Sequence, residues 1–185
     1  GLNGSKIQAI IEDREGNMLI GTHENGLDIF KGDYFVTYNE ENGLPGQQVL
    51  SLYQDKNNLI WFGTNEGIAL LNPIQEDNHP VTFVPNEEPF IRDQMKFIKK
   101  DTYGDLWIGT GNYGVVKYDT ENTRFIYHNE INRIIARNHN IITALETDAE
   151  GNVWVGTIGG LIYYEIQNKH IEFLTQRSGL ASNDI

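Results

Sequence analysis

One ten-residue frame occurs four times along the chain and limits what it can fold into. It runs from Asp13 to Thr22, Asp55 to Thr64, Asp101 to Thr110 and Asp148 to Thr157, and each copy ends in Gly-Thr with the glycine eight residues after the aspartate. Successive Gly-Thr pairs are 42, 46 and 47 residues apart. A period of about 40 to 50 residues marks an array of supersecondary units, each of which needs a neighbour to bury its apolar face.

Each period divides into four short strands. Strand a precedes the aspartate, with Ile7, Val49, Met95 and Ile142 six residues before it and Ile10, Leu52, Ile98 and Leu145 three before it. At a side-chain period of two these offsets fall on opposite faces, which predicts a strand apolar on both sides. Asp-x-x-Gly, or Asp-x-x-Asn in the second copy, is a tight turn capped by the Asp side chain. Strand b ends at Gly-Thr, a Gly-bearing hairpin follows, and strands c and d complete the unit. No segment sustains a helical period; Ile131–Ala136 comes nearest and is too short to assign. The reading is an all-β propeller of four tandem four-stranded antiparallel blades, at roughly residues 5–42, 47–88, 94–130 and 140–176, with 177–185 opening a further repeat.

Composition agrees and excludes several roles. Nineteen glycines with eight Phe and nine Tyr suit a turn-rich β protein. A net charge of −12 disfavours nucleic acid and anionic membrane surfaces as partners. There is no cysteine, hence no disulfide, thiolate metal site or Cys nucleophile. The chain opens on Gly1 rather than Met and reads as a piece of something longer.

Trp61, Trp107 and Trp154 each stand two residues before the glycine, and Leu19 takes that place in the first copy. A ring at a fixed register in successive repeats is a packing signature rather than a sugar platform. With them, Asp13, Asp55, Asp101 and Asp148 and Gly21, Gly63, Gly109 and Gly156 form the structural set. The aspartates lack the alternating oxygens of a calcium loop, and the five histidines show no metal-ligand spacing, so no metal and no cofactor is expected. No nucleophile elbow or phosphate-binding loop occurs, and no catalytic residue is named.

The frame Asp-x-x-Gly-x-Leu-Trp-Ile-Gly-Thr resembles the two-component regulator propeller repeat. So do the tags Asn42-Gly43-Leu44-Pro45 and Ser178-Gly179-Leu180-Ala181-Ser182-Asn183, and Gly1-Leu2-Asn3-Gly4 resembles the same linker cut short. The connections Pro85–Gln94 and Asn129–Asn140 depart from it. The resemblance implies a periplasmic sensor region of a bacterial hybrid two-component sensor histidine kinase anchored in the inner membrane. It implies a response to oligosaccharides, with the kinase, phosphoacceptor and DNA-binding segments elsewhere in the parent chain.

In a four-stranded blade the b–c and d–a connections share one end, and variable loops on a rigid scaffold are where recognition usually lives. That end gathers His23, Asn25, Asn65, Phe90, Arg92, Asn112, Tyr113, Arg133, Arg137 and His139 as candidate ligand residues. Amides, a ring and guanidinium groups suit a hydroxyl-rich or uronic ligand. The expected function is non-catalytic sensing, with an oligosaccharide as partner and no direct membrane contact. A propeller lyase of the streptogramin-lyase type and a protein-docking propeller are the alternatives. An open four-blade array would also expose apolar blade edges, so a homodimer through those edges, its arcs meeting in an eight-blade ring, is expected.

Overall fold

The structure, a computed structural model, describes residues 2, 4, 6–73, 81–84, 88–137 and 141–185. It contains four antiparallel four-stranded sheets whose strands lie in sequence order, as in propeller blades. Blade 1 is β1 (Ile7–Glu12), β2 (Met18–Thr22), β3 (Leu27–Phe30) and β4 (Phe35–Tyr38). Blade 2 is β5 (Val49–Gln54), β6 (Ile60–Thr64), β7 (Gly67–Leu71) and β8 (Val81–Phe83). Blade 3 is β9 (Met95–Lys100), β10 (Leu106–Thr110), β11 (Val115–Asp119) and β12 (Arg124–Tyr127). Blade 4 is β13 (Ile142–Thr147), β14 (Val153–Thr157), β15 (Gly160–Glu165) and β16 (His170–Leu174). The chain divides into two compact units, Gly1–Lys96 and Phe97–Ile185. No helix among the described residues is long and apolar enough to cross a membrane.

The repeated aspartate builds the a–b turn with both carboxylate oxygens. Oδ1 of Asp13 accepts the Glu15 and Asn17 amides at 3.0 and 2.7 Å, and Asp55 and Asp101 do the same in their turns. Oδ2 accepts the indole N–H of the repeat's tryptophan: Trp61 to Asp55 at 3.0 Å, Trp107 to Asp101 and Trp154 to Asp148 at 2.9 Å. Copy 1 has no tryptophan, and there the Asn17 side-chain Nδ2 donates to Asp13 Oδ2 at 2.8 Å, as Asn152 does to Asp148 beside the indole in copy 4. The fourth turn residue adopts positive φ in every copy: Gly16 83°, Asn58 65°, Gly104 98° and Gly151 90°. Burial, the largest single influence on Asp148, pushes its carboxyl up. Hydrogen bonds from Trp154, Asn152 and the Glu150 amide together outweigh that and hold it below the usual carboxylate value.

Strand a corrects the alternation expected from the sequence. The ladder shifts register between Ile7 and Ala9, Val49 and Ser51, and Ile142 and Ala144. This bulge returns the residue three before the aspartate to the same face as the one six before it. Ile7 pairs with Thr22 and Ile10 with Ile20, two residues apart on β2. Val49 and Leu52 therefore point together at blade 1, where they share a core with Leu19, Leu27 and Ile29. Gly21 receives them, since a Cβ there would lie 2.7 Å from Val49 Cγ1. In the second unit Ile142 and Leu145 share a core with Trp107 and Val115.

A helix, α1 (Asn129–Arg137), replaces the loop expected between blades 3 and 4. Ile131 and Ile135, one turn apart, are buried with Asn132, while Arg133 and Arg137 are exposed. Glu130 in its first turn and Arg137 in its last suit the helix dipole. Nine residues form this helix because its apolar stripe has the sheet to lie on; in isolation so short a helix is marginal.

Candidate functional site

At the b–c end of every blade the threonine of Gly-Thr closes the hairpin. Its Oγ1 donates to the carbonyl of Gly26, Gly67, Gly114 or Gly160 at 3.0, 3.1, 2.9 and 2.7 Å. The same oxygen accepts a loop amide, from Asn25, Glu66, Tyr113 or Gly159. Four buried hydroxyls thus fix the loops that carry half of the candidate side chains. The Gly-Leu tags have a matching role in the d–a connections. Asn39 caps a short 3₁₀ turn, its side chain accepting the Glu41 amide, and the chain reverses at Gly43 with a φ of 96°. Thr175 and Gly179 repeat that geometry, and Leu44 and Leu180 each bond back to the capping carbonyl.

In the first unit these two connections border an open cavity of about 310 Å³ lined by Glu24, Asn25, Thr37, Asn39, Glu40, Glu41 and Gln47. Of the candidate residues only Asn25 lines it. Asn65 spends its Oδ1 on the Gln48 amide at 3.1 Å. His23 is half-buried, with Nδ1 lacking a partner. Phe90 is 5% exposed in a 3₁₀ turn, so its ring faces the core rather than a ligand, whereas Arg92 is exposed. Glu40 and Glu41, both exposed, also line the cavity, and Glu40 accepts the Gln47 side-chain amide at 3.2 Å. Their position just before the Asn-Gly-Leu tag was the signal. Among the described residues no group of three His, Asp or Glu side chains could hold a metal ion.

In the second unit Asn112 and Tyr113 are exposed on the b–c loop, and Arg133 and Arg137 stand on the outer side of α1. His139 lies outside the described residues. A separate hollow of about 310 Å³ is lined by Ile126, Tyr127, His128, Asn129, Glu130, Tyr164 and Lys169. The His128 ring sits edge-on to Tyr164 at 4.6 Å and 5.2 Å from Trp107, and its Nδ1 accepts the Ile131 amide at 3.4 Å at the start of α1. Burial pushes this imidazole below its ordinary pKa, Glu130 opposes the fall and Lys117 adds to it. The folded state therefore favours the neutral ring. That stability is present above the ordinary histidine pKa of about 6.5 and is lost as the pH falls through it toward the lowered folded value. His128→Gln, uncharged at every pH, is expected to flatten the loss of stability between about pH 7.5 and 5.5 seen by urea unfolding of the parent chain. An unchanged slope would place the titration elsewhere.

The sequence pattern of the family described as two component regulator propeller matches residues 1–24, 43–66 and 137–159, which are the linker, strand a and Gly-Thr frame of copies 1, 2 and 4. Those three stretches are similar to two-component regulator propeller repeats. Histidine kinase P4 of Formosa agariphila is 25% identical to this chain over 174 residues, 90% of this chain and 13% of the kinase. The extracellular domain assigned to a hybrid two component system of B. thetaiotaomicron superposes with a TM-score of 0.79 at 24% identity, covering all of this chain and 24% of that one. A virginiamycin B lyase from Staphylococcus aureus, solved with quinupristin, superposes at 0.70 and 13% identity over 94% of this chain and 56% of its own. At these identities the solved structures share the fold. The repeats span about a quarter of the extracellular domain and a smaller share of the kinase.

Proposed function

We propose that this regulator-propeller segment senses an oligosaccharide outside the cytoplasm, as a non-catalytic part of a hybrid two-component sensor. The repeat family and its likeness to a sensor's extracellular domain support the signalling role. The observation that carries the ligand reading is the first unit's cavity. Its amides can both donate to and accept from sugar hydroxyls, and Glu24, Glu40 and Glu41 accept strongly from hydroxyl donors. The same carboxylates repel uronates, so the ligand is a neutral sugar.

The test is thermal unfolding in the presence of neutral and uronic oligosaccharides. A ligand at a hundred times its Kd stabilises by about 2.7 kcal/mol, and each kcal/mol raises Tm by about 2–4 °C at this chain length. Gln47→Ala with Asn25→Ala is expected to remove the shift while leaving the ligand-free Tm nearly unchanged. No shift with any neutral saccharide, or a shift that survives both changes, would exclude the cavity as the sensing site. The lyase reading has only the shared fold behind it, and cleavage of a streptogramin by the purified chain would replace the proposal.

A further inference from the structure

The hollow of the second unit gathers side chains from several places on the fold. β12 brings Ile126 and Tyr127 to it, β15 brings Tyr164, the first turn of α1 brings Glu130 and the turn before β16 brings Lys169. His128 stands between β12 and α1. The two sides of the hollow are blades 3 and 4, joined in one unit.

Two polar groups there have hydrogen bonds to spare. The Tyr164 ring is 6% exposed, yet its hydroxyl bonds none of the described residues. A phenol buried to that depth ordinarily has a partner. His128 accepts the Ile131 amide at Nδ1, so the neutral ring carries its hydrogen on Nε2, and that N–H too has no acceptor among the described residues. Neither atom is sealed in the core: the buried side-chain atoms without a partner among those residues are His23 Nδ1 and Thr143 Oγ1. Both groups therefore open on the hollow they line.

Opposite charges flank them. Glu130 and Lys169 are exposed, and neither forms an ion pair among the described residues. Glu130 is near enough for its charge to act on both His128 and Tyr164. Lys169 is held in its turn at a positive φ of 53°. The Tyr127 ring, 41% exposed, and Ile126 add an apolar surface.

We infer that this hollow binds a free aromatic amino acid. Glu130 takes the ammonium group, and the carboxylate lies on Lys169, the Tyr164 hydroxyl and His128 Nε2–H. The aromatic side chain rests on Tyr127 and Ile126. A ligand ion of one sign would meet a repelling charge on one side of the hollow, whereas a zwitterion is attracted by both. At about 310 Å³ the hollow lies at the lower end of small-ligand pockets, about 300–1,000 Å³, and holds one such molecule rather than an oligosaccharide. It shares no residue with the first unit's cavity, so either site can fail without the other.

The test is titration of the isotope-labelled chain with L-phenylalanine, phenethylamine and hydrocinnamate, followed by nuclear magnetic resonance. Phenylalanine is expected to shift the Glu130, Ile131 and Tyr164 amides saturably, with a Kd below about 1 mM. Each analogue lacks one of its charges and should bind about tenfold more weakly. Tyr164→Phe keeps the ring and its packing and should weaken phenylalanine by about the same factor. Glu130→Gln should weaken phenylalanine and leave hydrocinnamate, which has no ammonium group, unchanged or tighter. Lys169→Asn, suited to the positive φ, should weaken phenylalanine and leave phenethylamine unchanged or tighter. A charge variant that merely disturbed the fold would weaken all three ligands alike. No saturable shift with phenylalanine up to about 10 mM, an analogue bound as tightly, unchanged affinity in Tyr164→Phe, or equal weakening of all three ligands by a charge variant would each overturn the site.

Discussion

Trp107→Ala is expected to destabilise the second unit by about 3–5 kcal/mol, the range for emptying a buried large aromatic site. The indole is 1% exposed and shares a core with Ile142, Leu145 and Val155. Its rim meets His128 and Tyr164, with centroids 5.2 and 5.9 Å away, and Lys117 Nζ lies 5.7 Å over the ring. Removing it also strips Asp101 Oδ2 of its 2.9 Å donor, in a turn where Asp101 is itself buried. Trp107→Phe keeps most of the volume and loses the N–H, so about 1–3 kcal/mol is expected for the carboxylate oxygen left short of a partner. Trp154 makes the same bond but is only partly buried, and its alanine variant should cost clearly less than that of Trp107. Urea unfolding followed by far-ultraviolet circular dichroism measures all three. Equal losses for Trp107→Ala and Trp154→Ala would show that the turn bond, rather than burial, accounts for the effect.

That ordering shows what the sequence could and could not reveal. The aspartate, glycine and threonine frame dictates local geometry, so turns, strands and hairpins were legible from four copies of one pattern. Burial depends on neighbours, which a register does not report: Trp107 and Trp154 hold the same position and differ in exposure. The bulge was hidden for a related reason. Strict alternation over Ile7, Ala9 and Ile10 assumes an unbroken ladder, and the extra residue appears only when β1 is paired with β2. The helix α1 was missed because its Ile131, Ile134 and Ile135 pattern is brief and its stability comes from the sheet beneath it. Among the candidate site residues, Asn25 was legible because the hairpin fixes it. Glu40 and Glu41 stay exposed loop charges, and the capped turn beginning at Asn39 sets them beside the cavity.

The helix is also where a single polar side chain carries the most weight. Asn132 is 5% exposed, accepts the Val115 amide at Oδ1 over 2.7 Å and donates from Nδ2 to the Val115 carbonyl over 2.8 Å. It treats the start of β11 as a neighbouring strand would, and so ties α1 to blade 3. The carbonyl has a second donor in the His128 amide at 3.3 Å, whereas the amide depends on Asn132. Asn132→Ala therefore leaves a buried N–H unsatisfied, at about 1–3 kcal/mol, and removes a second bond of about 1 kcal/mol, for an expected loss of about 2–4 kcal/mol. Asn132→Asp should be worse at neutral pH, because a buried carboxylate faces the Val115 carbonyl with no hydrogen to give it. Protonation restores that hydrogen, so the gap between the two variants should narrow on acidification to about pH 5, burial having raised the new carboxyl above its ordinary value. Hydrogen exchange gives a local reading alongside urea unfolding, since the Val115 amide should exchange faster in the alanine variant than in the parent chain. If that amide keeps its protection while α1 is released, another group satisfies it and Asn132 is not the tie.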